Sequence, residues 1–166
     1  EDLDLTGAFI QQIVQPGYDS LALYCYKNGK ATTLLISLAP GVCRLHETNR
    51  KVPKNDKPLR FMEFLKSRIK GCRINSVEQM GFERIIKMEL GNSSERFYMF
   101  IRLWSAASNI IVTDSDYYIL DVLYTNAPME VTEPMTAKML TTDNIGCAII
   151  ESNNGGRSFA RNVQRE

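Results

Sequence analysis

The chain predicts an α+β, mostly β fold, an antiparallel β architecture with one internal helix, and three observations point there. Runs of alternating or β-branched residues recur about nine times, each only five to eight residues long. Turn chemistry (Asn28-Gly29, Gly91-Asn92-Ser93-Ser94, Asp114-Ser115-Asp116) separates many of them. Among these runs one internal stretch, beginning at Pro58 and ending at Gly71, shifts to a helical period. Short strands with polar turns and a single helix describe a sandwich or a barrel with the helix packed against it.

In chain order, residues 1–6 read as the last turns of a helix, with Gly7 as its left-handed exit. Strands are predicted at 8–14, 21–26, 32–38 and 41–45, the second and third joined by the Asn28-Gly29 hairpin. The helix follows: Phe61, Met62, Leu65 and Ile69 form an apolar stripe, and Lys66, Arg68 and Lys70 lie off it. Pro58 suits its first turn and Gly71 its exit. Beyond Gly71 the period returns to two, with strands at 73–78, 84–90, 96–103, 109–113 and 117–123. From residue 124 the pattern weakens. Pro128 and Pro134 interrupt it, 133–140 reads as a short helix, and 152–156 as a mobile segment, so 124–166 is a partly mobile extension of a domain spanning 1–123.

With 166 residues, 44% hydrophobic and 23% charged, the chain is long enough for one domain with its own core. No apolar run reaches the roughly 18 residues that span a bilayer, and no signal-peptide pattern is present. The first residue is Glu, so the chain reads as a piece of a longer protein. Cys25, Cys43, Cys72 and Cys147 are far apart and only His46 could join them as a soft ligand, which is too few for a zinc site of familiar spacing. They read as reduced residues of a cytoplasmic protein, while counting alone leaves two disulfides in a secreted domain open.

The net charge of +1 hides a segregation. From Arg44 to Arg73 there are ten basic side chains and three acids, so this window carries +7 and the rest −6. Such a window marks either an electropositive face for a polyanion, most often nucleic acid, or a solvated loop and the wet face of a helix. Catalysis finds no constellation: no nucleophile stands beside a general base, and Gly155-Gly156 lacks the lysine and helix of a phosphate loop. His46 reads as a strand-end residue making a structural hydrogen bond. The domain by itself is expected to be no enzyme and to need no cofactor or metal.

The stretch PLRFMEFLKSRIKGCRINSVEQMGFERI, Pro58 to Ile85, resembles the N-terminal domain of the NFACT family, the RqcH- and NEMF-type ribosome quality-control factors, many of which carry the older label fibronectin-binding protein. The family's run P-x-x-F-x-x-x-L-R-K-x-I-x-G-x-x-I-x-x-I-x-Q-x-G-x-D-R-I is matched in register by Pro58, Phe61, Leu65, Lys66, Ile69, Gly71, Ile74, Gln79, Gly81, Arg84 and Ile85. LLISLAPGVCRLHET, Leu34 to Thr48, and SNIIVTD, Ser108 to Asp114, are similar to two further blocks, so the resemblance runs from about Leu5 to Leu123. It implies a β-sandwich of the kind found at the N-terminus of formamidopyrimidine-DNA glycosylases. Their chemistry is not implied, because its nucleophile is an N-terminal proline and the first proline here is Pro16.

The resemblance also implies a role: binding stalled large ribosomal subunits that carry peptidyl-tRNA, and recruiting tRNA for tail addition to the nascent chain. In the family an acidic-basic dipeptide handles tRNA; it falls on Glu83-Arg84, with Glu in place of the usual Asp. A guanidinium bonds phosphate in bidentate fashion or stacks on a base, and a neighbouring carboxylate fixes its rotamer. The bland alternative is a surface ion pair worth at most about 1 kcal/mol. Arg44, Lys66, Arg68, Lys70 and Arg73 would add phosphate contacts, and Phe61, Phe64, Phe97 and Tyr98 read as core. One loop departs from the family. Where E-I-M-G-R-H usually precedes Ser-Asn, this chain has Arg102 to Ala107, without the glycine and its basic neighbour, unless Arg102 and Trp104 substitute for them. The other reading, from the older family label, is a surface adhesin for fibronectin, which has no evident need of a basic helix.

Overall fold

The computed structural model describes residues 4–104 and 107–124. Nine strands and one helix follow in the order β1 (Phe9–Gly17), β2 (Ser20–Lys27), β3 (Lys30–Ser37), β4 (Arg44–Glu47), α1 (Arg60–Arg68), β5 (Arg73–Gln79), β6 (Ile85–Gly91), β7 (Arg96–Arg102), β8 (Asn109–Asp114) and β9 (Ile119–Tyr124). The mostly β, antiparallel expectation with one short helix holds. Every strand pair is antiparallel, and all nine join in one hydrogen-bonded sheet of order β4-β3-β2-β1-β5-β6-β7-β8-β9, in place of two separately bonded sheets. The predicted helix before Gly7 is absent among the described residues, although Gly7 does take a left-handed φ of 88° in a turn. The readings made beyond residue 124, Cys147 among them, lie outside the described residues.

Two meanders meet at a narrow seam. In the first, Asn28 and Gly29 both have positive φ, 50° and 82°, and Lys27 pairs Lys30 across a two-residue loop, as a hairpin turn of this chemistry requires. At the seam β1 meets β5 only through its first residues: Phe9 pairs Arg73, the Ile10 N–H donates to the Cys72 carbonyl and the Gly71 N–H to the Ile10 carbonyl. The far end of β1 therefore has no β5 partner on that edge, which is why Pro16 is tolerated there. One core cluster draws on both meanders: Ile10, Leu23, Leu34 and Ile36 from one, Met88, Phe97, Met99 and Ile110 from the other. Side chains from strands so far apart in the sheet reach a common core because the sheet curves about its inner face, as strand twist promotes.

The helix fills that core with Phe61, Leu65 and Ile69. It starts later than the sequence suggests. Leu59 is the N-cap, with φ −94°, ψ 142° and no side-chain capping bond, so Pro58 lies outside the first turn. The exit matches: the Lys70 N–H reaches back to the Leu65 carbonyl at 3.0 Å and Gly71 follows at φ 87°. Arg60 ties the helix start to β9 through a 2.7 Å ion pair with the buried Asp121. Among the described residues Cys25, Cys43 and Cys72 are buried and form no disulfide with one another.

Candidate nucleic-acid interface

The Glu83-Arg84 dipeptide lies just before β6, in the β5–β6 turn, and not on the strand itself. The turn is closely bonded. The Met80 N–H donates to the Ile85 carbonyl at 2.9 Å, the Glu83 N–H to the Met80 carbonyl at 3.1 Å, and the Gln79 side-chain amide to the Glu83 carbonyl at 2.8 Å. Gly81 supplies a φ of 56°. Glu83 and Arg84 are both exposed, and no ion pair joins them among the described residues. Instead Arg84 Nη2 donates to the Cys43 carbonyl at 3.0 Å. The carboxylate therefore does not hold this guanidinium; a backbone carbonyl from the β3–β4 loop does.

That bond sets Arg84 beside Arg44, the residue after Cys43, at the start of β4. A third segment joins them. The Leu103 N–H donates to the Arg84 carbonyl at 2.9 Å, and Cys43 Sγ lies 2.8 Å from Ser108 Oγ, which is itself 2.6 Å from the Trp104 carbonyl. Arg102 lies over the Trp104 ring, its Cζ 4.5 Å from the centroid. Arg102 and Trp104, from the stretch that departs from the family's pattern, thus belong to the same end of the sheet as Arg84. Three segments remote in sequence build one basic, aromatic-bearing end.

The remaining candidates are elsewhere. Arg73 pairs Gly91 at the opposite end of β6, about 20 Å along the strand from Arg84. Its guanidinium lies 5.9 Å from the Phe9 ring centroid. Arg68 bonds Glu95 at 3.1 Å and sits 5.6 Å from the Phe97 ring, also at that far end, and Lys66 bonds Glu63 at 3.1 Å. Lys70 is exposed, with no side-chain partner among the described residues. The seven residues therefore form two groups: Glu83, Arg84 and Arg44 at one end of β6, and Arg68, Lys70 and Arg73 at the other, with Lys66 on the helix between carboxylate and solvent. Two of the five auxiliary cations already face an acid.

Other readings change as well. Phe61 and Phe97 are core, 4% and 1% exposed, and Phe64 packs on its margin. Tyr98 is not core: it faces outward, stacked on Tyr117 with centroids 4.9 Å apart and Lys87 Nζ 4.6 Å from its ring. His46 sits in β4 with a buried Nδ1 that has no hydrogen-bond partner among the described residues, so the structural bond expected of it is missing at that atom. One residue of the basic end went unremarked in the sequence. Phe82, at the tip of the turn, is wholly exposed at 107%. Its signal was an aromatic directly after a turn glycine, where polar residues ordinarily stand.

Comparison with known proteins gives these features a setting. The chain is 35% identical over 94 residues to the ribosome quality control complex subunit NEMF of Mus musculus, covering 57% of this chain and 8% of that one. It is 29% identical over 126 residues to the Rqc2 homolog RqcH of Streptococcus pneumoniae, covering 72% and 23%. This chain thus spans less than a quarter of either relative. Among solved structures, the N-terminal domain of the fibronectin-binding protein PavA from Streptococcus pneumoniae superposes with a TM-score of 0.69 at 22% identity, over 97% of this chain and 74% of that one. The N-terminal part of the fibronectin/fibrinogen-binding protein from Streptococcus suis does so with a TM-score of 0.69 at 24% identity, over 72% and 47%. At those identities the likeness is one of fold. The profile of the NFACT N-terminal and middle domains matches residues 2–130, and the chain accordingly belongs to the NFACT family, as an N-terminal domain of that family.

Proposed function

We propose that this domain is the RNA- and ribosome-binding module of a cytoplasmic ribosome quality-control factor, one that engages stalled large subunits carrying peptidyl-tRNA and helps recruit tRNA for tail addition. It acts by binding and not as an enzyme. The observation that carries the reading is the joining of Arg44, Arg84 and Arg102 at one end of the sheet by the Arg84 to Cys43 bond and the Leu103 to Arg84 bond. With one backbone carbonyl as its partner among the described residues, this guanidinium has further N–H groups to offer phosphate, and its position is set before the RNA arrives. The relatives named for ribosome quality control support the same reading.

The test is binding of this domain to tRNA and to purified large ribosomal subunits at two salt concentrations, wild type beside Arg84→Ala and Arg84→Lys. The expected result is salt-dependent binding that falls roughly tenfold in Arg84→Ala and less in Arg84→Lys, with the melting temperature little changed. Trp104, the chain's single tryptophan, lies at the same end and reports binding by fluorescence. Equal binding by all three proteins would remove the turn from the interface. The adhesin reading rests on neighbours whose likeness is of fold alone, and recovery of the protein by surface labelling of intact cells would be the result in its favour.

A further inference from the structure

We propose that Phe82 is a stacking platform for an unpaired base, so that the β5–β6 turn takes a nucleotide by its base as well as by its phosphate; this rests on the RNA-binding reading above. Phe82 is 107% exposed, and Met80 and Val77 on the same hairpin are 42% and 38% exposed. Nothing local asks for an aromatic there. The turn is made by Gly81 at φ 56° and by the bonds Met80 to Ile85, Glu83 to Met80 and Gln79 to Glu83, none of which uses the side chain of residue 82. Because those bonds close the turn, the ring is offered on a rigid support and loses little freedom on binding.

The chemistry around the ring selects the ligand. Arg84 is two residues away, and Arg44 follows the carbonyl that Arg84 holds. Within the turn itself, residues 80–84, Glu83 is the one acid. A partner that covers an apolar ring and also satisfies guanidinium groups has a flat apolar face joined to an anion, which describes a nucleotide in a single-stranded or splayed segment of RNA. A base inside a duplex has its faces occupied by its neighbours. The turn therefore favours loops and free ends over continuous helix, with little choice among the four bases, since each offers a π-face.

The experiment measures the affinity of the 166-residue chain for tRNA, for a blunt RNA duplex of similar length and for purified large ribosomal subunits, comparing wild type, Phe82→Ala, Phe82→Trp and Arg84→Lys. Phe82→Ala is expected to weaken tRNA binding roughly tenfold or more, to leave the salt dependence unchanged and to leave the duplex unaffected, while Phe82→Trp binds at least as well as wild type. The ring is outside the core, so the melting temperature should not move. If Phe82→Ala binds tRNA like wild type while Arg84→Lys is weakened, stacking is wrong and the RNA reading stands. Equal losses on tRNA and duplex would also overturn stacking. Should Phe82→Ala lose large subunits but keep naked tRNA, the ring docks in a protein groove instead. Failure of the wild type to bind any RNA overturns both the platform and the reading on which it rests.

Discussion

Arg84 shows how one residue can serve structure and binding together. Its bond to the Cys43 carbonyl ties two loops, and the surface it leaves exposed is still a planar, permanently charged donor. Cys25 lies at the other extreme: buried in the core, its thiol is pushed by desolvation up to about 11 from an ordinary 9.0. The folded chain thus keeps a proton that the unfolded chain gives up, and the associated stability is intact below pH 9 and is lost as the pH rises toward about 11. The unfolding free energy from urea curves should fall between pH 8 and pH 10.5 for wild type, by an amount on the order of 1–2 kcal/mol. The fall should be smaller in Cys25→Ala. At pH 8 the same thiol should resist iodoacetamide until the protein is denatured.

At the scale of elements, the helix depends more on its exit and its packing than on its entry. Its N-cap, Leu59, offers no side-chain acceptor, while Glu63 in the first turn and Arg68 in the last complement its dipole. Gly71 ends it at φ 87°, and a Cβ placed there would meet nothing within 4 Å. Gly71→Ala should therefore cost about 1–2 kcal/mol from backbone conformation alone, seen as a lower denaturation midpoint with an unchanged denaturant slope. A much larger loss would mean that the seam between β1 and β5, which begins at the Gly71 N–H, fails as well. Most of this level was legible in the sequence. The apolar stripe of Phe61, Leu65 and Ile69, the Asn28-Gly29 turn and the strand runs are local patterns, and each appears within a few residues of its predicted place. β4 was displaced, from 41–45 to Arg44–Glu47, because its limits are decided by pairing of Leu34 with Glu47 and Ser37 with Arg44, which is not a local choice.

For the whole molecule, the distribution of charge is what structure revised. A window of +7 suggested one face, whereas folding divides its members between the two ends of β6 and neutralises part of Lys66 and Arg68 with Glu63 and Glu95. Among the described residues, Arg44, Arg84, Lys70 and Arg73 then remain as the cations of the candidate set without an acidic partner. If these four meet single-stranded phosphates, log affinity should fall against log salt with a slope of about −3. A strand of about six nucleotides covers the roughly 20 Å between the two groups. Oligonucleotides of three and of eight residues should consequently differ in slope, the shorter one reaching a single group. Equal slopes would limit the interface to one end of the sheet.

The amino-acid sequence by itself determined the mostly β class, the position of the helix, the turn residues and the family, because periodicity, glycine and proline act over a few neighbouring residues and a motif in register is a linear property. The tertiary structure alone decided which distant segments became neighbours. Arg44, Arg84, Arg102 and Trp104 come from three parts of the chain and meet only because strand pairing in one sheet and the bonds between their loops bring them to a common end. Phe82 was visible as a letter in the motif, but its exposure was not, since whether a side chain is covered depends on everything packed around it.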